Sequence, residues 1–237
     1  MATNFRLFGV THLTILAAIV LLAALLSALQ RRLTPGGNGL RLDLACVILL
    51  DTIWWYGYLA FHEQLTFPSQ LPLHLCDLTL YLTLIALLTL SPAVFDVAYC
   101  CALAGTSMAL LTPDLWENFP SLSTVQYFIA HGLVVAAMLY LVWSRQARPR
   151  RSSVARAMLA LNLLAAFDGV FNGIFKTNFM YLRTKPASAS LLDLFGPWPW
   201  YIVAGEGVAF VLLLLLYLPF RQSAETGTKQ TEKRGTN

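Results

Sequence analysis

The chain has 237 residues, of which 57% are apolar and 12% are charged, with a net charge of +4. Soluble domains carry roughly a quarter charged residues, so this chain lacks the polar surface that water demands. Its continuous Leu/Ala/Val runs exclude a β-barrel, which would read as short alternating segments.

Seven apolar segments follow one another, at about 9–30, 41–62, 71–91, 93–112, 123–144, 154–177 and 199–220; each approaches the ~20 residues that cross a bilayer as helix. The first has no strongly basic start and no cleavage pattern leading to a soluble domain, so it reads as a span rather than a signal peptide. The expected fold is all-α: a polytopic seven-transmembrane helix bundle over residues 1–221. The polar run "RQSAETGTKQTEKRGTN" ends the chain, and residues 222–237 read as a disordered cytoplasmic tail.

Seven spans place loops 31–41 and 145–156, the turn near 92 and the C-terminus on one side. That side holds 12 of the 16 Lys and Arg residues; Arg6, Lys176, Arg183 and Lys185 hold the other. Basic loops stay in the cytoplasm, so the N-terminus is expected outside and the C-terminus inside. Membrane-flanking charge of this kind needs no nucleic-acid partner. The four cysteines lie in apolar segments without a C-x-x-C pair or zinc-ligand spacing, so neither a disulfide framework nor a metal is expected. No cofactor is expected either: the last span has no lysine for a retinal Schiff base.

Ionisable groups inside spans are candidate functional residues. In "LPLHLCDL" (71–78), His74, Cys76 and Asp77 crowd the head of the third span. At ~1.5 Å per residue, Cys76 lies about 8 Å and His131 about 12 Å below the outer surface. Asp168, Asn172 and Lys176 share one face of span six at i, i+4, i+8, and Glu206 enters from span seven at a similar level. Asp51, Trp55, Tyr58 and His62 form a stripe on span two. Four helices thus bring polar groups to one level, and a water-accessible pocket between helices accommodates them. Each group also has a plain reading. Asp51, Asp168 and Glu206 can hydrogen-bond across helices, Cys76 can be inert packing, and His131 can be a neutral donor to a carbonyl. His12 and His62 read as solvated near the interface. Gly169, Gly173, Gly205 and Gly207 are expected where helices pack closely.

His74 and Cys76 sit about 200° apart on a regular helix and Asp77 about 100° from Cys76, so a base for the thiol must come from another helix. His131 is placed for it by depth. A thiol with a cross-helix imidazole suits covalent acyl transfer: the imidazole takes the proton and the thiolate attacks an ester carbonyl.

Three stretches, "LPLHLCDL", "YFIAHG" and "TNFMYLRTKPASASLLDLFGPWPWY", resemble the YwaF family of bacterial integral membrane proteins, which includes eukaryotic transmembrane protein 164. The eukaryotic relative is an acyltransferase that moves polyunsaturated acyl chains to make ether phospholipids, and the group is distantly similar to membrane lipid hydrolases that pair a threonine with a histidine. The resemblance implies Cys76 as nucleophile and His131 as general base, with Asn178, Tyr181, Lys185 and Trp198 shaping a lipid entrance. The expected function is a phospholipid or lysophospholipid acyltransferase, or a lipid hydrolase, in a bacterial plasma membrane, with membrane lipids as partners. The alternative is a transporter or small-molecule or ion-binding protein that uses Asp51, Asp168 and Glu206 as a relay.

Overall fold

The computed structural model describes residues 5–115, 117, 119–186 and 190–221, so the predicted disordered tail, 222–237, lies outside the described residues. Seven helices cross the bundle: α1 (Val10–Leu33), α2 (Gly39–Phe61), α3 (Leu75–Thr89), α4 (Pro92–Leu111), α5 (Leu122–Trp143), α6 (Ser153–Phe175) and α7 (Trp200–Tyr217). Among the described residues there is no β-strand. Six helices are long and apolar enough to cross a membrane; the protein is an integral membrane protein.

The seventh, α3, has 15 residues, about 22 Å at 1.5 Å per residue and short of a ~30 Å bilayer core. It starts four residues later than the hydropathy suggests. Pro72 disfavours helix for the residue before it, and His74 then acts as the N-cap. The Asp77 carboxylate accepts the His74 backbone N–H at 3.0 Å, the reciprocal half of a capping box.

Long-range hydrogen bonds show that the helices alternate in direction. At one end Arg41 Nη1 donates to Leu87 O, Tyr140 Oη donates to Gln30 Oε1 and Tyr99 Oη donates to Leu216 O. At the other, loop-rich end Tyr181 Oη donates to Asp114 Oδ2, and the Phe67 and Phe175 rings meet edge to face. The chain therefore starts its first helix at the loop-rich end and finishes its last at the arginine-rich end.

The core lies between α3, α4 and α5, where Ala86, Leu87, Ala98, Ala137 and Leu141 are fully enclosed. Small residues allow this approach: a β-carbon on Gly132 of α5 would stand 2.9 Å from Ile19 of α1. By contrast α1, α6 and α7 turn most of their apolar surface outward, toward lipid.

His12 is fully buried rather than solvated. Its Nδ1 accepts from Phe8 N at 3.0 Å and its Nε2 donates to Leu110 O at 2.8 Å, so the ring ties α1 to α4. His62 is exposed and lies against the Tyr58 ring, tilted by 48°.

The arginine-rich end is closed by Asp96, wholly buried in the first turns of α4. It accepts from Arg150 N at 3.1 Å, Arg150 Nε at 3.0 Å and Arg156 Nη1 at 2.6 Å. A buried carboxylate is tolerated only when so paired. Removing one member of a fully buried pair costs about 3–5 kcal/mol; here both arginines are partly exposed, so about 2 kcal/mol is expected for Asp96→Ala. Thermal melts in detergent will show a lower midpoint for Asp96→Ala than for Asp96→Asn, which keeps an acceptor for the Arg150 N–H.

Candidate functional site

A cavity of about 1060 Å³ opens among α2, α3, α4, α5, α6 and α7, at the top of the ~300–1,000 Å³ range of small-molecule sites. Its wall includes Cys76, His131, His74, Asp77, Tyr181 and Glu206. Asp51, Asp168, Asn172, Lys176, Asn178 and Trp198 stand off that wall.

Cys76 comes to the cavity in the first turn of α3, which the His74–Asp77 cap starts. Opposite it α4 contains a π-helical turn, Ala102–Thr106. Such turns insert one residue into the helical ladder and recur at functional sites. Gly105 in this turn lets α3 approach: a β-carbon there would stand 2.9 Å from Leu75 Cδ2. The Thr106 hydroxyl is buried and lies beside the Cys76 thiol.

His131 lies on α5, four residues after Tyr127. Its Nδ1 is 2.8 Å from Tyr127 O. A carbonyl only accepts, so Nδ1 carries the proton and, in the neutral ring, Nε2 keeps a lone pair. The Tyr127 ring stacks on the imidazole at 4.0 Å, and its hydroxyl donates to Ala109 O at 2.8 Å, so α4 fixes the ring that fixes the histidine. Tyr127 lines the same cavity as Cys76.

The loop-rich end of the cavity, its mouth, is lined by Met180, Tyr181, Leu182, Pro186, Leu191 and Leu192. Lys176, Met180 and Tyr181 take left-handed backbone conformations, with φ of 60°, 54° and 54°, which cost non-glycine residues about 1–3 kcal/mol each. Asn172 holds that path. Buried at the end of α6, it accepts from Thr177 Oγ1 and Phe179 N, both at 2.8 Å, and donates to Phe179 O at 3.0 Å. Asn178 organises the next turn through Thr184 and Arg183. Tyr201 Oη donates to Tyr181 O at 2.6 Å and Trp198 Nε1 to Leu182 O at 3.1 Å. Tyr181 then reaches Asp114 at 2.8 Å. Burial first, and the Asp114 hydrogen bond second, push the Tyr181 phenol up, so it remains a donor at neutral pH. The His74 ring meets Phe179 edge to face at 5.1 Å, closing the mouth from below.

The remaining candidates have other surroundings. Gln126 Nε2 donates to Asp51 Oδ2 at 3.4 Å, Lys176 Nζ donates to Gly173 O at 2.9 Å, and Asn162 Nδ2 donates to Glu206 Oε1 at 2.9 Å. Asp168 is fully buried, with neither oxygen hydrogen-bonded. Among the described residues no group of three His, Cys, Asp or Glu could hold a metal ion.

Thr106, Asp114 and Tyr127 join the site without having stood out in the sequence. Only Tyr127 left a signal there, one helical turn before His131. The latch of Asn172 generates a test. Asn172→Ala strands Phe179 N and O, at about 1–3 kcal/mol for an unsatisfied buried group, and hydrogen exchange will accelerate over 177–184 while α5 stays protected.

The sequence profile of the TMEM164 family matches residues 7–217. A protein of Treponema pallidum (strain Nichols), itself named only as uncharacterized, is 28% identical over 222 residues, which span 92% of this chain and 91% of that protein. No solved structure matches. A profile match running from before α1 to the end of α7 covers every element that builds the cavity, and the chain belongs to the TMEM164 family.

Proposed function

We propose that the protein is a membrane-embedded lipid acyl-transfer enzyme, with Cys76 as nucleophile and His131 as general base. One observation carries the reading: the His131 Nδ1 bond to Tyr127 O leaves Nε2 as the lone-pair nitrogen of a residue that shares its cavity with Cys76. In the proposed cycle Nε2 takes the thiol proton and Sγ attacks the ester carbonyl of a phospholipid. The C–O bond breaks, and the proton on Nε2 goes to the departing lysolipid oxygen. A lysolipid hydroxyl, or water, gives its proton to Nε2 and attacks the thioester, which frees the thiol. Acyl transfer follows from the first acceptor and hydrolysis from the second. The Thr106 hydroxyl, beside the thiol, is the proposed donor to the developing oxyanion.

The cavity supports a lipid substrate by its size and by its place among apolar spans. The arginine-rich end is assigned to the cytoplasm of a bacterial plasma membrane, which puts the cavity mouth and the N-terminus outside.

A lipid-like thioester-trapping probe will label purified wild-type protein at Cys76 and leave Cys76→Ala unlabelled. His131→Ala will slow labelling by about 10²–10⁴-fold, the usual contribution of a general base. Equal labelling of Cys76→Ala would remove the mechanism. Ion flux in liposomes that needs Asp51, Asp168 and Glu206 and ignores Cys76 would replace it with a relay. Orientation is read separately: an impermeant maleimide will label Thr184→Cys in intact cells, and Arg151→Cys only after permeabilisation.

A further inference from the structure

The wall of the cavity changes character from one end to the other. At the loop-rich end it carries Ser69, Gln70, Asp114, Glu117, Ser123 and Thr124. Between α4, α6 and α7 it carries Ala104, Leu161, Ala165, Val208, Ala209 and Leu212. Cys76 stands at the top of this apolar region, because Thr106, beside the thiol, lies two residues from Ala104 on α4. The α2–α3 wall is different again, with Thr52, Tyr56, Asp77 and Tyr81.

Three helices give the apolar region one depth. On α4 it runs from Thr106 to Cys100, on α6 from Ala165 to Met158 and on α7 from Gly205 to Leu212, about 9–10 Å in each case at 1.5 Å per residue. Asn162 and Glu206 bond within these runs and hold α6 and α7 at one level. Both amide protons of Asn162 are used, on Met158 O and on Glu206 Oε1, so it offers a ligand no donor. The floor is closed by bonds below it: Tyr99 Oη donates to Leu216 O, and Arg156 Nη1 reaches Asp96 Oδ2 at 2.6 Å. Ala157 and Leu213, next to the floor residues Met158 and Leu212, have no exposed surface.

We propose that this apolar region seats the acyl chain of the reacting phospholipid beside Cys76, with the headgroup held at the polar, loop-rich end. An amphiphile so placed keeps polar atoms against polar groups and hydrocarbon against hydrocarbon. The reverse orientation, or a chain laid on the α2–α3 wall, strips polar groups of their partners. The ester, where the two parts of a phospholipid join, then falls at the thiol. A depth of about 10 Å is shorter than the ~15 Å that a tail takes in one leaflet of a ~30 Å core, so the region holds the carbonyl-proximal part of the chain. This rests on the lipid acyl-transfer reading above and adds to it which way the substrate lies.

The test photolabels full-length protein in phosphatidylcholine liposomes and maps the adducts by mass spectrometry. One probe is a phosphatidylcholine with a diazirine early in its acyl chain, and the other is a phosphatidylethanolamine with a diazirine on its headgroup amine. On wild type the chain probe is expected to mark Ala104, Leu161 and Leu212, as well as Val211 and Leu215, which are exposed and apolar. Ala104 is only 9% exposed, so lipid outside the cavity does not account for an adduct there. The headgroup probe is expected to mark Gln70 and Ser123. Val208→Trp fills the apolar region and is expected to lose the chain adducts on Ala104, Leu161 and Leu212 while those on Val211 and Leu215 remain. Should that variant lose its cooperative melt, Leu161→Phe is read in its place, on Ala104 and Leu212. A wild type without the inward chain adducts, inward adducts that persist in the folded bulky variant, and headgroup adducts on Leu161 or Leu212 each overturn the proposal. The same map on Cys76→Ala separates it from the acyl-transfer reading. Unchanged inward adducts there keep the seat standing even where no thioester forms; a wild type labelled at Cys76 but without inward adducts keeps the mechanism and loses the seat.

Discussion

The Asp77 carboxylate takes the His74 backbone N–H and so decides where α3 begins. Without that cap the apolar run from residue 71 could extend the helix toward the surface and fill the loop-rich end. With it, α3 is 15 residues long, and Phe179 and Tyr181 pack against the ring of its N-cap His74. The thiol of Cys76 then lies in a first turn instead of a helix middle, at the bottom of a covered chamber. A carboxylate that looks like an electrostatic burden beside a thiol acts first as a structural cap.

The same economy governs the polar groups around the cavity. Within a bilayer, backbone groups left without partners cost several kcal/mol each, so irregular chain at the loop-rich end must be satisfied by protein. Asn172 and Asn178 do this for 177–184. Tyr201 and Trp198 tie the same segment to α7 and its lead-in. The motif "TNFMYLRTKP…GPWPWY" is thus a self-bracing cover, and its specificity as a pattern reflects how many of its residues bond to one another. Tyr181 then joins this cover to Asp114, just beyond α4.

On the chamber wall, orientation is shared out among neighbours. Tyr127 supplies a carbonyl to one nitrogen of His131, a ring to its face and a hydroxyl to α4. The π-helical turn of α4 brings Thr106 beside Cys76. On the far side Asn162 of α6 donates to Glu206 of α7.

Hydropathy was enough to place six long spans and their alternation, because the need for ~20 apolar residues is local and one-dimensional. The head of α5 was legible for the same reason, whereas α3 begins at Leu75 rather than at 71 because Pro72 and the His74–Asp77 cap override the apolar run. Other features belonged to the tertiary structure, because they depend on residues far apart in the chain. Asp51, Asp168 and Asn172 sit on the expected spans but off the cavity wall, since helix rotation is set by neighbours rather than by depth. Gly169 and Gly173 read as close-packing residues, yet a β-carbon on either would meet no heavy atom within 4 Å. Sequence alone determined which segments enter the membrane and which ionisable side chains they bring with them. The fold decided which of those groups share a chamber, because helix register and the π-helical turn are settled only when distant side chains compete for the same space.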